Sequence, residues 1–207
     1  MLGAVVSDWR ELLAFWFGNA DETGLSVPDK RARWFASNPD FDSQCATAFG
    51  PLLAPAAGGN LDDWLESPLS RLAFIVLTDQ IPRNIYRGRA EAFHWDSLAL
   101  SAATEGVRRG ADRQLSVDQR SFFYMPFEHS EEILDQYIAT GLFTTLRDES
   151  PKPLRHITGN SLRFAQKHRN IILTYGRFPH RNAVLRRKSS LAEAKFVAES
   201  DGFGQAL

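Results

Sequence analysis

The chain predicts an all-α protein, and three observations predict it. Large apolar residues recur at i, i+3, i+4 and i+7 along nearly its whole length. Ser, Asp, Asn and Pro repeatedly stand just ahead of those runs, where helix starts need them. No stretch alternates apolar and polar residues for long, and no Asn-Gly hairpin signal occurs. The expected architecture is seven to nine helices in one domain spanning residues 1–207, a length that supports a sizeable core. Hydrophobic residues at 43%, with 15 Phe and 5 Trp, supply the apolar area for that core.

The elements follow in order. Trp9, Leu12, Leu13 and Trp16 form one helical stripe with Ser7 or Asp8 as its N-cap and Gly18 as its stop. Pro28-Asp29 opens a second helix, and Pro39-Asp40 a third through Phe41, Cys45, Phe49 and Leu52, kinked at Pro51. Ala54 to Gly59 reads as a small-residue linker, and Asn60 as the cap of a short helix bearing Leu61, Trp64 and Leu65. Pro68 begins the most apolar helix, which places Leu72, Val76 and Asp79 on one face and is expected to end at Pro82. Further helices are expected over 89–109, from Ser116 to Pro126, from Ser130 through Leu146, over 154–175, and about 190–199. No repeat of about 34 residues is visible, so periodicity does not establish a solenoid.

Composition excludes several function classes. The longest apolar run, Leu72 to Leu77, is too short to span a bilayer, and Met1 to Val6 lacks the features of an export signal. Cys45 is alone, and with Phe41 and Phe49 at helical spacing it reads as a buried, inert thiol. A cytoplasmic location is the expectation. The net charge of −1 conceals a basic tract: residues 151–188 hold 10 Lys or Arg and three His with no Asp or Glu. Arg outnumbers Lys 19 to 5, which favours planar, bidentate contacts to carboxylate or phosphate.

Four motifs stand out: Phe15-Trp16-Phe17-Gly18, Asp79-Gln80 with Pro82-Arg83-Asn84-Ile85-Tyr86-Arg87-Gly88, Glu128-His129-Ser130-Glu131, and Gly176-Arg177-Phe178-Pro179-His180-Arg181-Asn182. On these the chain resembles a bacterial family known as domain of unknown function 924, over nearly its whole length. The resemblance implies a tetratricopeptide-like helical superhelix and no established activity. The sequence departs from the family pattern at His94-Trp95-Asp96-Ser97, where Ala-Thr-Asp-Pro is usual, and at Arg186, where a Gly is usual.

Three Arg-Asn dipeptides occur, whereas 19 Arg and 7 Asn give well under one by chance. Two of them, Arg83-Asn84 and Arg181-Asn182, follow a proline and offer the same donors, either for a planar anion or for free carbonyls at helix ends. Asp79 on a core-facing stripe requires a cation, and Arg83 is nearest in sequence. Ser130 is explained as an N-cap with Glu131 and Glu132 in the first turn, which leaves Glu128 and His129 as candidate acid-base groups. The expected site therefore has Glu128, His129 and His180 as catalytic residues, and Asp79, Arg83, Asn84, Arg181 and Asn182 as ligand-binding residues, in a concave pocket for a small anionic ligand.

No metal is assigned, because Glu91 to His94 is the one Glu-x-x-His pair and no Cys cluster occurs. Neither a Gly-x-Gly-x-x-Gly nor a phosphate-loop lysine points to a nucleotide cofactor. Two alternatives remain open: a tetratricopeptide-like module for proteins or peptides, and single-stranded nucleic acid on the basic tract with Phe164, Tyr175 and Phe178 available for stacking. A pI near 6.5 and the acidic line Glu128, Glu132, Asp135, which is placed to neutralise the tract, disfavour nucleic acid.

Overall fold

A computed structural model describes residues 8–199, so the readings placed on Met1 to Val6 and on Ser7 lie outside the described residues. Among the described residues the structure is all α-helical, with one isolated antiparallel bridge between Ala20 and Ser26. The helices are α1 (Trp9–Trp16), α2 (Pro28–Arg31), α3 (Pro39–Phe49), α4 (Leu53–Ala57), α5 (Pro68–Ile75), α6 (Ile81–Ile85), α7 (Asp96–Arg108), α8 (Val117–His129), α9 (Ile133–Glu149), α10 (Arg155–Tyr175) and α11 (Leu191–Glu199). Eight of them reach two turns or more, within the expected seven to nine. Among the described residues no helix is long and apolar enough to cross a membrane.

Local chemistry explains where the helices start and stop. The Asp8 side chain accepts from the Arg10 N–H to cap α1. Capping boxes Ser67/Ser70 and Ser116/Gln119 start α5 and α8. Gly176, at φ 69°, closes α10 in the left-handed conformation that costs a glycine little. Arg186 adopts φ 53°, the same region, at the position where the resembled family carries glycine.

Four expected boundaries are corrected. Ala54 to Gly59 is not a linker, because most of it is α4, which buries Leu53 and Ala56. The helix beginning at Pro68 does not end at Pro82. Residues Val76–Gln80 form a π turn, in which the Ile81 N–H reaches the Val76 carbonyl, and the widened turn admits the proline ring so that α6 continues to Ile85. Pro126 likewise lies inside α8, which runs on to His129. Glu128 and His129 therefore close a helix rather than occupy an extended loop. Ser130 is not the N-cap of α9, which begins at Ile133. Its hydroxyl instead accepts from the Glu132 N–H and donates to Asp135, fixing the two-helix corner.

The main core joins α1, α3, α5, α7, α8 and α9. Its N-terminal end is aromatic. Trp16, Phe17 and Trp34 surround Phe122 at centroid distances of 5.7, 5.3 and 4.7 Å, and the Trp34 indole donates to the Trp16 carbonyl at 3.0 Å. Burying side chains of this size contributes about 1.5–3 kcal/mol each, so this cluster anchors the N-terminal segment on α8. The Cys45 thiol is buried there, and burial pushes its pKa up to about 12, as the sequence led one to expect of an inert cysteine. A second, smaller cluster of Ile171, Ile172 and Phe178, with Ile133, Tyr175 and Phe196 against it, docks the chain after α10.

Candidate functional site

Asp79, on the π turn, is fully buried. Its Oδ1 lies 3.2 Å from Nη1 of Arg83, one turn further along the same helix, and 2.8 Å from Nδ1 of His129 at the end of α8. Gln80 donates to Oδ2 at 2.5 Å. The Arg83 guanidinium also forks onto Asp96 at the start of α7, at 2.8 and 2.9 Å. Arg181 approaches the same carboxylate, with Nη1 3.7 Å from Oδ2. It is held between two rings, 4.5 Å from the centroids of Phe93 and Phe178, and Arg83 lies 5.6 Å over the same Phe93. The two proline-flanked turns thus meet, through Asp96 and Phe93.

They meet by their arginines and not by their asparagines. Asn84 donates to Asp42 at 2.8 Å, beside Arg87 on the same carboxylate, and so ties α6 to α3. Asn182 donates to Ser189 and Glu193 and anchors the start of α11. Both amides are thus engaged with the scaffold, away from the junction of the two arginines. Glu128 does not orient His129 either. Adjacent residues on a helix diverge, and Glu128 lies 2.8 Å from Nδ1 of His168 on α10, while the buried Asp79 takes the orienting place. The His129 and His168 rings are 6.4 Å apart.

Burial opposes the charge on Asp79, but Arg83 and then His129 outweigh it and hold the carboxyl well below the usual range. Burial, then Arg83, lowers the pKa of His129, so at neutral pH the imidazole is uncharged and Arg83 alone is the full charge facing Asp79. An ionised carboxylate only accepts, so Nδ1 of His129 carries the proton and Nε2 keeps its lone pair. Nothing among the described residues hydrogen-bonds Nε2. Burial, and secondarily Arg83, brings Arg181 down to about 10, still cationic at neutral pH.

His180 differs. Burial first, then Arg181, pulls its pKa down to about 3, which leaves it a weak base in the physiological range. Its sign of linkage is definite. A histidine kept neutral by folding contributes stability that is complete above its unfolded value of about 6.5 and is lost as pH falls toward the folded value. The melting temperature is therefore expected to fall steadily between about pH 6.5 and 4, and His180→Gln is expected to flatten that slope. A pH-independent melting temperature for the wild type over that interval would contradict the assignment.

The network is mostly enclosed and reaches solvent at two of its members. Asp96 and His129 are its members nearest solvent, with side chains 24% and 16% exposed. Two surface clefts, of about 450 and 530 Å³, lie elsewhere, and neither is lined by Asp79, Arg83, His129 or Arg181. The expected concave pocket is thus not one of these clefts. Three of the ten cations of the basic tract are paired internally, Arg177 with Glu193, Arg187 with Glu131 and Arg181 with Asp96, and Glu128 pairs with His168 of the same tract. Among the described residues Glu132 and Asp135, expected to help neutralise it, form no ion pair with it. Of the aromatics proposed for stacking, Phe178 is fully buried and Tyr175 packs on Phe196, whereas Phe164 is 56% exposed.

Asp96, His168 and Phe93 were not singled out in the sequence. Asp96 carried a signal, as the acid within the departing His94-Trp95-Asp96-Ser97 stretch. His168 and Phe93 carried none, because only the fold brings α10 and the Ala90–Phe93 turn to this place.

Fold and site together define an all-α protein with a buried carboxylate-guanidinium-imidazole network where four helical segments meet. The chain belongs to the family described as bacterial protein of unknown function (DUF924), whose model matches residues 12–201. It is similar to the solved structure of a protein of unknown function, ATU0120, from Agrobacterium tumefaciens, with 35% identity and a TM-score of 0.78 over 93% of this chain and 97% of that one. No curated protein matches the chain.

Proposed function

We propose that Asp79 and His129 form a general-base dyad acting on a small carboxylate- or phosphate-bearing ligand, whose anionic group is received by Arg181 with Arg83 behind it. The observation that carries this reading is the bond from His129 Nδ1 to a fully buried carboxylate, which presents Nε2 as a base with no protein partner among the described residues. Since no protein hydroxyl occupies Nε2, the proton removed comes from water or from the ligand itself. Arg181 suits the anion. Its Nε lacks a hydrogen-bond partner among the described residues, its contact to Asp96 is long at 3.7 Å, and two rings hold its plane.

The test combines two measurements. Nitrogen-detected NMR of His129 is expected to show a protonated Nδ1 and a bare Nε2 at pH 7. A thermal-shift panel of small carboxylates and phosphate esters is expected to yield ligands that stabilise wild type and not Arg181→Gln. The opposite tautomer, or a panel in which no anion shifts the wild type, sinks the reading.

A second reading is a tetratricopeptide-like interaction module without catalysis. It is supported by Leu134, Tyr137 and Ile138, 73%, 52% and 44% exposed within one turn of α9. That reading predicts no small-molecule stabilisation at all.

A further inference from the structure

Arg71 on α5 is a buried cation with no carboxylate at ion-pair distance among the described residues, Glu105 acting on it only from further away. It is 4% exposed, its guanidinium donates to the carbonyls of Leu65 and Ala102 (the latter at 3.0 Å), and among the described residues no carboxylate pairs with it. Carbonyls satisfy its N–H groups but do not neutralise its charge, which is costly in a low-dielectric site. The position is built for it: a Cβ on Gly106 of α7 would overlap both the Arg71 stem and the Phe123 ring, so the glycine is what lets the guanidinium lie where it does.

Arg71 lines the cleft of about 450 Å³, whose apolar wall includes Leu65, Phe74 and Leu98. On its rim stand two exposed acids, Asp62 and Glu66, whose carboxylates have no hydrogen bond or ion pair among the described residues. Glu105 and Arg109 also line it, but they are spent on each other, at 2.5 Å, and Glu105 additionally on Arg108 at 2.6 Å. What remains for a ligand is a positive floor, an apolar wall and a negative rim.

We propose that this cleft binds a small zwitterion, a free amino acid or dipeptide, with its carboxylate on Arg71 and its ammonium between Asp62 and Glu66. The floor dominates, because a guanidinium removed from water attracts an anion more strongly than two solvated carboxylates attract a cation. The rim then selects, since a carboxylate with no ammonium faces two like charges. Leu65, Phe74 and Leu98 favour an apolar side chain. The cleft shares no residue with the Asp79–His129 dyad, and neither proposal depends on the other.

The experiment is an NMR titration of the whole chain with the standard amino acids and a set of their dipeptides, following the amides of Leu65, Leu98 and Ala102. At least one is expected to move these amides saturably. Its deaminated acid and its decarboxylated amine are each expected to bind about tenfold more weakly or worse. The double variant Asp62→Asn, Glu66→Gln alters only exposed side chains and so keeps the fold, and it is expected to lose the preference for the amino acid over the deaminated acid. Arg71→Lys tests the floor while retaining a charge, and is expected to weaken binding of amino acid and deaminated acid alike. Absence of movement across the whole panel overturns the proposal, as does binding that the double variant leaves unchanged.

Discussion

Asp79→Asn is expected to destabilise the protein by about 3–5 kcal/mol, the range for breaking a buried ion pair by removing one partner. The amide preserves the shape and one acceptor for His129 but removes the charge facing Arg83, which is itself 8% exposed and then shares Asp96 with Arg181. Urea unfolding at pH 7 measures the loss. The sign of its pH dependence follows from the depressed carboxyl. The stabilisation is complete above the unfolded value of about 3.9 and disappears as pH falls through the folded one. The gap between wild type and variant should therefore be full at pH 7 and close only below about pH 4. Equal stability of the two proteins at pH 7 would mean that Asp79 is not ionised in the fold.

Gly106→Ala is expected to cost about 1–3 kcal/mol through overpacking, even after the gain of roughly 1 kcal/mol that alanine brings to a helix interior. The added methyl has nowhere to go: Phe123 is fully buried and Arg71 is fixed by its carbonyls. Gly159→Ala in α10 and Gly141→Ala in α9 provide the opposite sign, because a Cβ at either meets nothing within 4 Å. Those two are expected to be neutral or stabilising by up to about 1 kcal/mol. Thermal melts of the three variants decide it, and a neutral Gly106→Ala would show that the α5, α7 and α8 contact is loosely packed.

The contrast between these positions shows what a sequence carries and what it withholds. Helices were legible because apolar spacing and caps are local properties, as at Asp8, Pro68 and Ser116. Pro82 and Pro126 misled for the same local reason. A proline lacks an N–H wherever it stands, but whether the turn around it widens or breaks is decided by packing. In the candidate site, the Asp79–Arg83 pair was legible because both lie one turn apart on one helix. The junction of Arg83 with Arg181 at Asp96 was not, since it joins residues 83, 96 and 181 through the fold alone. Asn84 and Asn182 shared the motif yet point elsewhere, because neighbours on a helical turn face different directions.

The π turn at Val76–Gln80 has one more consequence. Upstream of it the helix aims Arg71 and Phe74 at one cleft, and downstream it aims Arg83 at Asp79 and Asp96. Each residue in an α-helix advances the side-chain direction by about 100°. An extra residue held in the wide turn therefore acts as a phase shifter, setting the angle between two stations on a single rod. The spacing of Arg71 and Arg83 along the chain is thus not free to drift: a one-residue loss in between would leave both helical halves intact and point one of them at the wrong neighbour.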